Sequence, residues 1–74
     1  MSIKRTEFQL ESKLDKKILS LEDTLAFVKR INSCHKEKCI DIERNKKGRL
    51  TFPIHQLSIF ETESLKSGYV LKQL

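Results

Sequence analysis

Four cationic side chains fall within six consecutive positions, and no acidic residue lies among them. They are Arg44, Lys46, Lys47 and Arg49, with the small polar Asn45 after the first; residues 44–49 are called the basic segment below. Guanidinium groups make bidentate contacts with phosphate and lysines act as point charges, so this composition suits phosphate binding. Such binding would depend strongly on salt, because it displaces counterions from nucleic acid. We therefore expect the four cations to contact phosphates and Asn45 to approach a base edge.

Two other groups of lysines stand before the basic segment. Lys36 and Lys38 would extend the basic surface if their loop folds beside it. The other group is interleaved with acidic residues, which is typical of a solvated surface with local ion pairs. Its lysines are Lys13, Lys16 and Lys17, and its acids are Glu7, Glu11 and Asp15. For the basic segment itself, the alternative interpretation is a solvated turn whose lysines only protect against aggregation.

Cysteine and histidine side chains provide the other candidate chemistry. Cys34, His35, Cys39 and His55 are the right residue types for a tetrahedral zinc site. Adjacent Cys34 and His35 would have difficulty reaching one metal, so we interpret Cys39 as a small buried side chain and Cys34 as an accessible thiol. The sequence contains neither a phosphate-binding glycine loop nor a motif that places a nucleophile beside a base. We therefore expect no metal, no cofactor and no enzymatic activity.

The apolar pattern predicts a helix before the two cysteines. Apolar residues recur every three or four positions, as on one face of an amphipathic helix. These residues are Leu14, Ile18, Leu21, Leu25, Val28 and Ile31. Residues 20–23, Ser-Leu-Glu-Asp, fit a capping box, so we expect the helix to span about 20–33. Upstream, Phe8 and Leu10 alternate with polar residues, which predicts an N-terminal strand. The alternative is a helical extension back to Thr6, a rod that would favour a dimeric coiled coil.

Alternating segments on both sides of the basic segment predict a β-hairpin over about residues 39–53. The alternating apolar residues are Ile40 and Ile42 before it and Leu50 and Phe52 after it. Gly48 can take a positive φ in the turn, and Pro53 closes the second strand because it has no backbone donor. A short helix, a strand or both are expected to follow, with Gly68 marking a break.

The composition describes one small α+β domain over residues 1–74. Of these residues 38% are hydrophobic, and 15 Lys and Arg against 10 Asp and Glu give a net charge of +5. A core this small rarely supplies more than about 3–5 kcal/mol, so we expect stabilisation by a partner, most simply in a homodimer. No apolar run approaches the roughly 20 residues that cross a bilayer, and the N-terminus does not resemble a secretory signal. We therefore expect a cytoplasmic protein with no membrane contact and no small-molecule substrate.

Residues 47–53, Lys-Gly-Arg-Leu-Thr-Phe-Pro, resemble the glycine-arginine, alternating-apolar, proline core of the AbrB-type swapped-hairpin DNA-binding domains. In that family a short amphipathic helix follows, and then a glycine-acid turn into a last strand. Gly68 matches the turn, but no acid follows it here and the connection before it is longer. The resemblance implies an obligate dimer that contacts DNA through Arg44 and Arg49.

Two function hypotheses from different classes follow from these features. The first is a small accessory or regulatory protein that binds nucleic acid, either DNA or RNA, through the basic segment. The alternative is an adaptor or inhibitor that docks on a larger acidic protein and makes no nucleic-acid contact. The helix residues Leu21, Leu25, Val28 and Ile31, or the segment 69–71, would then contact the partner. In that case the net charge would steer association.

Overall fold

The described residues, 4–34 and 39–74 of a computed structural model, form two helices and four strands. In chain order the elements are β1 (Arg5–Ser12), α1 (Leu21–Cys34), β2 (Glu43–Arg44), β3 (Leu50–Pro53), a 3-10 turn (Ile54–Gln56), α2 (Leu57–Lys66) and β4 (Tyr69–Gln73). The predicted α+β class is confirmed, because the strands form one antiparallel sheet and the helices pack against it.

The sheet is built on β1. The strands are antiparallel neighbours in the order β2-β3-β1-β4. Residues 5–7 of β1 pair with β3, and residues 8–12 pair with β4. Phe8 and Leu10 are buried while Gln9 between them is exposed. The predicted N-terminal strand is therefore confirmed, and the alternative of a helical extension back to Thr6 is wrong.

One face of the sheet carries the core. Phe8 and Phe52 from neighbouring strands meet Phe60 of α2, with ring centroids 5.1–5.3 Å apart in edge-to-face arrangements. Each such pair contributes about 0.5–1.5 kcal/mol beyond its buried area. The other core side chains are Leu10, Phe27, Val28, Ile31, Ile40, Leu50 and Leu71. The opposite face of β1 carries only polar side chains, which are Arg5, Glu7, Gln9 and Glu11.

Charged contacts cross this polar face. Arg5 donates to the side-chain and backbone oxygens of Thr51 at 3.0 and 3.1 Å, and its guanidinium lies 3.2 Å from the Asp41 carboxylate. On the other side of β1, the Lys72 ammonium lies 3.2 Å from Glu11. Side chains therefore join β1 to both of its neighbouring strands, in addition to the backbone ladder.

A tight reversal separates β1 from α1. Lys16 adopts a left-handed φ of 58° within residues 13–17, which are called the lysine turn below. Ser20 follows, and its Oγ accepts a hydrogen bond from the Asp23 N–H at 3.1 Å while its carbonyl accepts one from the Thr24 N–H at 2.9 Å. The predicted break at Ser20 is therefore present, and α1 begins directly after it.

The hairpin is shorter than the predicted span of 39–53. β2 contains only two residues, and its ladder with β3 begins at Glu43. Before it, the side-chain amide of Asn32 accepts the Ile40 N–H at 2.7 Å and donates to the Ile40 carbonyl at 3.0 Å. The Asn32 amide thus bonds the backbone groups of Ile40 that a neighbouring strand would otherwise bond. The alternating residues Ile40 and Ile42 therefore do not extend the β2–β3 ladder. Cys39, predicted to be buried, is exposed.

After β3 a helix and a strand both form, where the sequence left either one open. α2 and β4 are joined at Gly68, whose φ of 87° is a conformation that glycine adopts without strain. β4 then forms one edge of the sheet. Within residues 4–34 and 39–74, neither helix has the length and apolar character needed to cross a membrane.

We expect Ser20→Ala to lower the free energy of unfolding by about 1 kcal/mol, because the Asp23 N–H loses its acceptor. Urea unfolding followed by circular dichroism measures this change. Ser58→Ala is the matched control, since Ser58 is exposed on α2 and its hydroxyl makes no hydrogen bond to the described residues. Alanine should be neutral or stabilising there. Equal destabilisation by both variants would contradict a capping role for Ser20.

Candidate functional site

Asn45 organises the basic segment. Its side-chain Oδ1 accepts hydrogen bonds from the backbone N–H groups of Lys47 at 2.9 Å and Arg49 at 3.0 Å. Its backbone N–H donates to the Arg49 carbonyl at 2.9 Å, and Gly48 turns the chain with a φ of 79°. The resulting turn leaves the Lys46 and Lys47 side chains exposed.

Hydrogen bonds within the protein use most of the donor and acceptor capacity of the Asn45 side-chain amide. Nδ2 donates to Glu7 Oε2 at 2.7 Å, so one side-chain N–H is left for a ligand. Contact with a base edge through that N–H stays a prediction, and the role that the structure shows is to shape the turn. The sequence carried a signal for this role, because asparagine at the start of a turn often bonds backbone groups two residues on.

Glu7 contacts the basic segment from β1. Its Oε1 lies 3.0 Å from the Arg49 guanidinium, so a carboxylate stands beside a segment that contains no acid in the sequence. The charge of Arg49 is therefore compensated. By contrast, Arg44, Lys46 and Lys47 have no acidic partner within 4.0 Å among the described residues and are exposed.

The same contacts change the titration of Glu7. The hydrogen bond from Arg49 is the main cause that lowers the pKa of the Glu7 carboxyl below its ordinary value. The Asn45 amide and the charge of Lys47 act in the same direction, and partial desolvation opposes them. The carboxylate is therefore ionised throughout the neutral range, and it keeps its contacts until the solution becomes acidic.

We expect the contacts of Glu7 to make stability acid-sensitive. A carboxyl whose pKa is lower in the folded protein stabilises the fold above its unfolded-state pKa, about 4.3, and this contribution is lost as pH falls through the folded-state pKa. Wild type and Glu7→Gln should therefore differ in free energy of unfolding at neutral pH and converge in acid. Urea unfolding over a pH series measures this. Glu61→Gln, on the exposed surface of α2, should change stability little, and a pH-independent effect of Glu7→Gln would contradict the assignment.

The lysine turn lies at the same end of the sheet as the basic segment. After the turn, the Leu19 N–H donates to the Leu10 carbonyl at 2.8 Å, so the chain runs back beside the end of β1. Ile18 and Leu19 then border the same cleft as Gly48 and Arg49. Gly48 and Arg49 of the basic segment and the two residues that follow the lysine turn therefore line one cleft, although about 30 residues separate them in the sequence.

Two of the acids that accompany the lysine turn in the sequence contact other parts of the chain, and the third, Asp15, contacts the backbone of the turn itself. Glu7 is bound to the basic segment, Glu11 to Lys72, and Asp15 Oδ1 accepts the Lys17 backbone N–H at 3.2 Å. The lysines are exposed and form no ion pair with the described residues; they are Lys13, Lys16 and Lys17. The local ion pairs that the sequence suggested are therefore absent, and the lysine turn adds unpaired positive charge at this end.

This cleft has a volume of about 480 Å³, which is within the range of small-ligand sites. Its apolar lining consists of Phe8, Ile18, Leu19, Leu21, Leu50 and Leu74. Its side-chain polar groups come from Gln9, Thr24 and Arg49. Sequence reasoning missed it because its walls come from β1, α1, the hairpin and the residue after β4.

The remaining candidates from the sequence do not add to this site. Lys36 and Lys38 lie outside the described residues, as does His35. Cys34 and Cys39 are exposed, and no disulfide joins them. In the part of the chain that the structure describes, no three metal-ligating side chains are grouped so that they could hold an ion.

No protein-family model matches the chain, and no curated protein or solved structure is significantly similar to it. The resemblance to AbrB-type domains therefore rests on residues 47–53 alone. In this chain, the hairpin that contains these residues pairs with β1 of the same molecule.

Proposed function

We propose that this protein binds nucleic acid, as an accessory or regulatory factor, through the basic segment and the lysine turn. The observation that carries the proposal is the gathering of unpaired cations at one end of the sheet. Acids on the polar face of the sheet are occupied by Arg5, Arg49 and Lys72. The free positive charge is therefore separated from them, which favours a polyanion whose phosphates displace counterions on binding.

Each cation of the basic segment is assigned a phosphate contact in this proposal. Lys46 and Lys47 act as exposed point charges, and Arg44 offers a fork for bidentate contact with a phosphate. Arg49 is held in position by Glu7 and would share its guanidinium with an incoming phosphate. Contacts by Lys36 and Lys38 and a base contact by Asn45 stay predictions.

The double variant Lys46→Gln/Lys47→Gln tests the proposal. Loss of two phosphate contacts should reduce the slope of log affinity against log salt by about 1.8 for duplex DNA and about 1.4 for a single strand, because each contact contributes about 0.9 or 0.7. Fluorescence anisotropy at several salt concentrations, with labelled duplex DNA, single-stranded DNA and RNA, measures this slope.

The matched control is Lys4→Gln/Lys29→Gln, which removes the same charge from exposed positions outside the basic segment and the lysine turn. It should leave the slope nearly unchanged. Equal losses in both double variants would show that net charge, and not the basic segment, drives association. Absence of binding by wild type to all three nucleic acids at low salt would remove the proposal.

Exposed apolar side chains support a second candidate, an adaptor or inhibitor that docks on an acidic protein. Val28 and Ile31 belong to the core, but Leu21 and Leu25 of the same helix stripe remain 44% and 37% exposed, and Leu14 is 98% exposed. β4, at the edge of the sheet, offers a strand for pairing with a partner or with a second copy of the chain. Light scattering after nuclease treatment distinguishes the candidates, because a nuclease-resistant complex of fixed stoichiometry would favour the adaptor.

A further inference from the structure

The cleft beside Gly48 and Arg49 is open, and its walls are mainly apolar. Ile18, Leu21 and Leu74 border it and are 46%, 44% and 56% exposed. Phosphate contacts alone do not require apolar area between the cations. Lys17 and Lys47 each stand next in sequence to a residue that lines the cleft, Ile18 and Gly48. Apolar walls with such neighbours suit a ligand that carries a flat apolar group next to a negative charge.

Among the described residues, the lining of the cleft contains one charged side chain, a cation that the Glu7 carboxylate contacts at 3.0 Å. Arg49 contributes the charged side chain in its lining. Of the two acids in the first turn of α1, Glu22 is absent from the lining, and Asp23 borders a separate hollow with Phe27 and Tyr69. Among the described residues, no acidic side chain lines the cleft.

We propose that the cleft takes one unstacked base of a single-stranded nucleic acid, with phosphates on either side contacting Lys47 and Lys17. This inference rests on the proposed function and narrows it to single strands. Bases in a duplex are paired and stacked, whereas unpaired bases can be turned out and held between apolar side chains. Gln9 is exposed at the border of the cleft, and its amide offers both a donor and an acceptor to a base edge.

The walls of the cleft favour insertion of one base over stacking of several. Proteins that bind single strands by stacking present exposed aromatic rings. Phe8 is only 5% exposed, and its ring packs edge-to-face against Phe52 and Phe60. It can form part of the floor of the cleft but no platform. The remaining apolar walls are aliphatic.

Ile18→Trp is the test variant, because it fills the cleft and leaves every cation in place. Ile54→Trp is the matched control, since Ile54 is 42% exposed and does not line the cleft. Anisotropy is measured with three labelled probes of about 12 nucleotides. These are a single strand, the same strand with abasic sites, and the corresponding duplex.

Wild type should bind the intact single strand about tenfold more tightly than the abasic strand, which carries the same phosphates. Ile18→Trp should remove this difference, and Ile54→Trp should preserve it. Binding to the duplex should be the same for all three proteins. Circular dichroism checks that both variants are folded. If Ile18→Trp is unfolded, Ile18→Ala, with Ile54→Ala as its control, should weaken binding of the intact strand alone.

Equal affinity of wild type for the intact and abasic strands would overturn the assignment of the cleft as a base site. The same loss in the variants of Ile18 and Ile54 would also overturn it. Either result leaves phosphate binding by the basic segment intact, provided that the salt slope still responds to Lys46→Gln/Lys47→Gln. Failure of wild type to bind any of the three probes at low salt would instead remove the proposed function and this inference together.

Discussion

The contact among Phe8, Phe52 and Phe60 holds the rest of the structure in place. The three rings come from β1, β3 and α2, and each pair is in edge-to-face contact. Phe8 also stands where β1 changes partner, because residues 5–7 pair with β3 and residues 8–12 with β4. Packing of this one side chain therefore fixes the register of both halves of the sheet, and with it the position of the hairpin that carries the basic segment.

Glu7, the residue before Phe8, connects the register of β1 with the charges at the surface. Successive side chains of a strand point to opposite faces, so Glu7 lies on the polar face while Phe8 is in the core. From there its carboxylate contacts Arg49 and Asn45. A slip of one residue in register would move the phenylalanine to solvent and the carboxylate into the core. Burial of Phe8 and the charge balance of the basic segment are thus consequences of the same strand pairing.

Features set by neighbouring residues could be predicted from the sequence, and features set by distant ones could not. The alternation around Phe8 and Leu10 and the cap at Ser20 depend on a few consecutive residues, and both predictions are confirmed. The pairing of Glu7 with Arg49 spans 42 positions and depends on sheet register, so the basic segment looked free of acids. The first strand of the hairpin was overestimated for a similar reason, because a side-chain amide of α1 binds the backbone that alternation assigned to the ladder.

The Glu7–Arg49 pair matters more for which charges are available than for stability. The Arg49 side chain is 61% exposed, and exposed ion pairs contribute little to the free energy of folding. The pair does hold the guanidinium against the end of the sheet, where it borders the cleft. It also leaves Arg44, Lys46 and Lys47 as the uncompensated charges of the basic segment among the described residues, at the same end of the sheet as the lysine turn. A polyanion that approaches this end therefore meets the exposed lysines of the basic segment and of the lysine turn, and one arginine that Glu7 already orients. Because that arrangement follows from where β1 places a single carboxylate, the register of the central strand determines the chemistry of the candidate surface.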